Sequence, residues 1–380
     1  MPKRGGLYAK ARSGDCEHSI YKACRLYADG ISLSRCRALH IFATICNALP
    51  GWFTSARRRA FLEDLGLAEA LRLAYIVRTP AASHMPETGP KSAITIRDLK
   101  AFSELKMVEA LEKEVWGVSD LDVIPMTLAV ATREAGSIWL GAFDGRELVG
   151  FAFAFLGLES NSLMLHSHML AVRQAYRDSD LGYKLKLAQR ERALALRIRE
   201  ITWTFDPLQS KNAHLNFDKL GVVSSSYKVD FYGPETSSVL HRNSTDRLWV
   251  RWPLASRRVQ DRLQRKEHRT HALEALATLV PLVRFHAGGT PERTDLSAAL
   301  KRQRIAIEIP SDIGDVEQRD PALAREWRLA TRWAFTEALA AGFFVAEFCR
   351  TVRGKQGPGV YILEKGTIEE YVPELQRAWA

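Results

Sequence analysis

The side chains best placed for chemistry are two histidines and the charged turn that follows them. His166 and His168 stand two apart in the apolar run from Leu163 to Val172. Strict alternation along a strand would put both on one face with Leu170 and Val172. An imidazole with its ordinary pKa of about 6.5 exchanges a proton near neutrality, although a histidine in a sheet can equally be a hydrogen-bonded structural residue. Next come Arg177-Asp178-Ser179-Asp180-Leu181-Gly182 and an amphipathic stretch reaching Arg199. A turn leading from a strand into a helix offers unpaired backbone N–H groups and the positive end of the helix dipole, which together hold a diphosphate. Arg173, Arg177, Lys184 and Lys186 would add charge, Ser179 is small, and Gly182 allows close approach to the backbone. The expected chemistry is a phosphate-bearing cofactor held beside a proton acceptor.

Periodicity supplies the elements that must position these groups. Residues 94–99 alternate as a strand, and Lys100 to Trp116 places Phe102, Leu105, Val108, Leu111 and Val115 on one helical face. Pro125 opens a second helix to about Ala135. Two apolar strands around Asp144-Gly145 predict a hairpin with a type I′ turn. The strand 163–172 and the helix from about Gly182 to Arg199 follow, then the strand Glu200–Phe205, a brief helix from Asn212 to Leu220 capped by Gly221, and strands at 222–232 and 247–253. Residues 255–303 read as a helical linker, and 304–380 as a β-α-β-β unit that packs on or extends the preceding sheet or swaps into a second copy, so a homodimer is compatible.

The charge is unevenly spread. Residues 1–84 hold 13 Lys/Arg against 6 Asp/Glu, which leaves 41 against 38 for the rest. The body is thus nearly neutral, which argues against nucleic acid as its partner; residues 1–88 form a basic extension, partly helical or disordered. Cys16, Cys24, Cys36, Cys46 and Cys349 include no C-x-x-C pair, so no metal is expected, and the odd number suggests reduced thiols in a cytoplasmic setting. No apolar run reaches the roughly 20 residues of a membrane-spanning helix.

Val172 followed by Arg177-Asp178-Ser179-Asp180-Leu181-Gly182 resembles the central motif of the GNAT acyltransferase superfamily: a strand ending in valine, a Gln/Arg-x-x-Gly-x-Gly/Ala turn, and a helix. Asn212 with Lys219-Leu220-Gly221 is similar to the family's downstream asparagine and Lys-x-Gly. The likeness covers about residues 93 to 253. The segments HSHML, LKLAQRE and WTFDPLQSKNAHLNFDKLG, with Ser244-Thr245-Asp246-Arg247, resemble more closely a little-characterised subgroup in which the C-terminal segments IEIP and ALAREWRLATR recur.

The resemblance implies an α/β (α+β) fold with a mixed, mostly antiparallel twisted sheet flanked by helices over residues 89–254. It implies transfer of an acyl group from acetyl-CoA or another acyl-CoA to an amine without a covalent intermediate. Backbone groups of Leu170, Ala171 and Val172 would hold the pantetheine and the thioester carbonyl. Arg177 to Tyr183 would hold the diphosphate, with Lys219 nearby, and Asn212 the pantetheine arm. His166 or His168 would accept the amine's proton. Asp206, Asn216 and Arg247 are candidates for binding a small-molecule amine or amino-acid acceptor; Arg247 would recognise a carboxylate on the acceptor or on a succinyl-type donor, or form a structural salt bridge. Two departures stand out: Asp180 occupies the first glycine of the diphosphate turn, and Phe217 occupies the position of the tyrosine that protonates the leaving thiolate in many members. Tyr227 and Tyr232 are the candidate replacements. Loss of that acid also leaves open a non-catalytic CoA-binding module.

Overall fold

A computed structural model of the chain describes residues 93–159, 162–233, 243–264, 279–350 and 358–375. The expected basic extension lies outside these residues. Pro90 to Ala380 group into one compact unit, in which the elements follow as β1 (Thr95–Asp98), α1 (Phe102–Trp116), α2 (Met126–Glu134), β2 (Ile138–Asp144), β3 (Glu147–Glu159), β4 (Ser162–Val172), α3 (Leu181–Ala195) and β5 (Glu200–Phe205). Then come α4 (Ser210–Ala213), which runs into a π-helix (His214–Leu220), β6 (Val223–Lys228), β7 (Arg247–Pro253), α5 (Arg257–Gln264), β8 (Val280–Phe285), β9 (Pro291–Arg293) and α6 (Leu296–Leu300). The chain continues with β10 (Arg304–Ile309), α7 (Ile313–Arg319), α8 (Pro321–Ala340), β11 (Phe343–Arg350), β12 (Gly359–Lys365) and α9 (Ile368–Tyr371).

These strands form one 12-stranded sheet in the order β1-β2-β3-β4-β5-β7-β6-β11-β12-β10-β8-β9. Neighbours run antiparallel except β4 with β5 and β8 with β10. The fold is therefore a mixed, mostly antiparallel sheet flanked by helices. Helices cover both faces of its first half, which is why β2 and the start of β3 are buried almost without alternation. Leu140, Ala152, Leu165, Leu185 and Ile201 pack on the α3 side. Leu105, Leu111, Trp139, Phe151 and Phe153 pack on the α1–α2 side.

Local chemistry sets the helix ends. The Glu104 carboxylate accepts the N–H groups of Lys100 and Ala101 at 2.8 and 2.9 Å ahead of α1, and Gly117 ends that helix in the left-handed region at φ 63°. Asp320 caps α8 by accepting the Leu323 N–H at 3.0 Å, with Pro321 in the first helical position.

Two expectations need correction. The hairpin between β2 and β3 pairs Asp144 with Glu147, so its turn residues are Gly145 and Arg146 rather than Asp144-Gly145. Only Gly145 has positive φ, which excludes a type I′ turn. Asp144 is held in the strand end, where its carboxylate accepts the Tyr176 hydroxyl at 2.8 Å. Residues 255–303 are not simply a helical linker: after α5, β8 and β9 complete the far edge of the sheet.

The join between the two halves of the sheet is narrow, with Val345 of β11 registered against Ser224 of β6. Buried polar ties reinforce it. Arg262 of α5 reaches Asp218 at 3.2 Å and Glu347 at 3.0 Å. Arg328 of α8 bonds Asp206 at 2.8 Å, and Tyr361 of β12 donates to the Pro207 carbonyl at 2.7 Å.

Candidate active site

The sheet opens between β4 and β5. These parallel strands are registered only at Leu165 with Ile201 and His166 with Thr202; beyond that β4 runs on to Val172 and β5 to Phe205 without pairing. β3 covers only one edge of β4 there, so alternate N–H and C=O groups of residues 167–172 face the gap. Helix α3 begins at the wide end of the gap.

A bulge decides which side chains look which way. Ala154 registers with Ser167 and Phe153 with Met169, leaving His168 as the extra residue. Strict alternation therefore fails here. His166 and His168 share one face, with ring centroids 5.4 and 5.8 Å from Phe155. Leu170 and Val172, expected beside them, pack on the α3 side instead. Met169 and Ala171 take the histidine side.

On the histidine face, His166 is buried, its Nδ1 lies 3.0 Å from the Thr202 hydroxyl, and its ring stacks on Trp249 at 4.7 Å. Burial, followed by the charges of His168 and Lys186, lowers its pKa to about 4. His166 is thus a neutral hydrogen-bonding group at pH 7, a weaker base than the expected one. His168 is exposed. The same face continues through Phe231 and Tyr232, whose hydroxyl lies 3.3 Å from that of Thr204. Arg247 is largely buried beside the Tyr232 ring, its guanidinium carbon 5.3 Å from the centroid. Its Nη1 donates to the Asp246 carbonyl at 2.8 Å. Among the described residues no carboxylate comes within ion-pair distance of it.

On the other face lies Lys186, which was expected to add charge at the turn and instead is buried under the sheet. Its Nζ donates to Ser167 Oγ at 2.7 Å and sits 3.7 Å over the Trp203 ring. Ser167 passes its own proton to Gln189 Oε1 at 2.9 Å. Desolvation lowers the lysine pKa to about 7. Ser167, Gln189, Trp203 and Trp249 were not singled out from the sequence; only the buried row Leu185, Gln189 and Ala193 on α3 hints that polar residues point inward there.

At the turn, Asp178 and Asp180 both adopt left-handed backbone, at φ 60° and 58°. Aspartate tolerates this conformation better than most residues, which explains how it can stand where the motif has glycine. The Asp180 carboxylate accepts from Lys219 Nζ, 2.6 Å away. Arg173 is occupied by Glu114 and Glu147. Arg177 Nε bonds the Val172 carbonyl at 3.2 Å, and Ser179 Oγ bonds the Tyr176 carbonyl at 2.6 Å. Among the described residues no side chain caps α3, which leaves the amides of Leu181, Gly182 and Tyr183 for a ligand.

The other candidates separate. Asn212 is exposed. Asn216 is buried, and its carboxamide makes no hydrogen bond among the described residues, so it is available to a ligand. Asp206 is not: Oδ2 bonds Arg328 at 2.8 Å and Oδ1 accepts the Leu208 N–H at 2.9 Å. Phe217 is fully buried, edge-on to Tyr361. Tyr227 is occupied, donating to Asp246 at 2.6 Å. Arg332 of α8 pairs with Asp246 and Asp230.

No family model and no curated protein matches the chain. Solved structures similar to it include the ribosomal-protein-S18-alanine N-acetyltransferase of Escherichia coli, with 14% identity over 43% of this chain and 94% of that one at a TM-score of 0.35. An acetyltransferase of the GNAT family from Streptococcus pneumoniae gives 16%, 42%, 98% and 0.34, and a chain of the NatC complex bound to Gag peptide and CoA gives 15%, 42%, 98% and 0.34. At such identities residue roles do not transfer, and the functional reading rests on the geometry of this chain.

Proposed function

We propose that the protein is an acyl-CoA-dependent N-acyltransferase of the GNAT kind, moving an acetyl or related acyl group from a CoA thioester to the amine of a small molecule or amino acid. The observation that carries this reading is the divergence of β4 and β5 with the uncapped start of α3 at its wide end. The free edge of β4 at Leu170, Ala171 and Val172 suits the amide groups of a pantetheine arm, as an added strand would. The α3 amides and Arg177 suit the diphosphate. Across the sheet, neutral His166, with Thr202, would accept the amine's proton through water. Arg247 would hold a carboxylate on the acceptor.

Calorimetry with acetyl-CoA, succinyl-CoA and free CoA, followed by a thiol-release screen over amino acids and polyamines, tests this. Binding together with acceptor-dependent thiol release is the expected result. Absence of CoA binding would overturn it. The buried Phe217 favours one alternative, a CoA-binding module without catalysis; tight binding with no release across the panel would support that reading instead.

A further inference from the structure

We propose that Lys186 is the proton donor to the departing CoA thiolate, in place of the tyrosine that Phe217 replaces. This rests on the acyl-transfer reading above. Ser167 and Trp203, the two residues that hold Nζ, directly follow the last registered pair of β4 and β5. The ammonium therefore sits at the closed end of the gap, on the α3 face, where a pantetheine arm entering at the start of α3 would end. Of its three N–H donors only one meets an oxygen, and no carboxylate accompanies it among the described residues. Burying an ammonium with so little compensation costs stability. The cost has a purpose if negative charge arrives during turnover.

The other acids do not fit. Tyr227 and Tyr361 donate to Asp246 and the Pro207 carbonyl. Tyr183 stands in the first turn of α3, its ring centroid 5.9 Å from Lys219 Nζ, at the diphosphate end. Tyr232 is on the histidine face. Lys186, with its pKa lowered to about 7, holds its proton loosely enough to give it up and regain it near neutrality.

The step balances. The neutral amine attacks the thioester carbonyl, the C–N bond forms, and the C–S bond breaks with its electron pair on sulfur. Lys186 delivers a proton to that sulfur and becomes a neutral amine. The proton released by the nucleophile leaves on the histidine face, and solvent reprotonates Lys186.

Free CoA alone tests the assignment, with no acceptor needed. CoA is bound to the native protein, to Lys186→Met and to Lys186→Arg; affinity is read by calorimetry and the thiolate by its ultraviolet absorbance across pH. A neighbouring ammonium should lower the bound thiol's pKa by about one unit, giving about tenfold more thiolate at neutral pH than in free CoA. Lys186→Met should bind CoA equally and lose this excess, while Lys186→Arg should keep it. CoA bound to the native protein without excess thiolate overturns the proposal, whatever the variants do, and so does an excess that survives in Lys186→Met. Failure of the native protein to bind CoA overturns the acyl-transfer reading and this assignment with it.

Discussion

Asp180, in left-handed backbone at the head of α3, has its carboxylate 2.6 Å from the Lys219 ammonium. The pair joins the turn ahead of α3 to the π-helix. The ammonium offsets a carboxylate charge that would be unfavourable beside a bound phosphate. Lys219→Met should weaken CoA binding by about tenfold, since it removes a positive charge beside the turn. Asp180→Gly should retain or tighten binding, because glycine accepts the same φ and releases Lys219. Calorimetry on both variants checks this; weaker binding in Asp180→Gly would show that the carboxylate organises the turn.

His166 should make stability depend on pH in one window. Its folded pKa of about 4 lies below the unfolded value of about 6.5, so the unfolded chain takes up the proton first as pH falls. Stability from this group is complete above about pH 6.5 and is lost progressively down to about pH 4, by on the order of 3 kcal/mol. Denaturant unfolding at several pH values should show that slope in the native protein and a flatter one in His166→Gln.

Asp206 was a candidate for binding a cationic acceptor, yet both its oxygens are engaged, one by Arg328. Arg328→Met should destabilise the fold by about 3 kcal/mol by leaving the carboxylate unpaired, and adding Asp206→Asn should recover part of that. Chemical denaturation of the single and double variants decides the matter. A rise in acceptor KM for Asp206→Asn without loss of stability would return the residue to the acceptor site.

Arg247 should discriminate among acceptors. Loss of a charge-assisted hydrogen bond costs about 1.5–3 kcal/mol, so Arg247→Met should raise KM roughly ten- to hundredfold for an amine that carries a carboxylate. Amines without one should be unaffected. Equal effects on both classes would mean that the arginine only supports Tyr232.

The chain's own order of residues determined most of the framework. β5 and β7 match their apolar segments residue for residue, because short β-rich runs bounded by turn residues carry a strong local signal. The turn from β4 into α3 was legible for the same reason, since its residues and the helix start are contiguous in sequence. What tertiary structure alone decided were relationships that local patterning does not encode. One extra residue at His168 reverses the alternation and moves Leu170 and Val172 to the other face. The α8 arginines meet carboxylates far earlier in the chain, which ties Asp206 to Arg328. Lys186 looked like one more basic residue near a phosphate turn, but helical rotation carries it under the sheet to the last registered pair of β4 and β5. Periodicity tells which residues share an element; only packing tells where a long charged side chain ends and what it meets there.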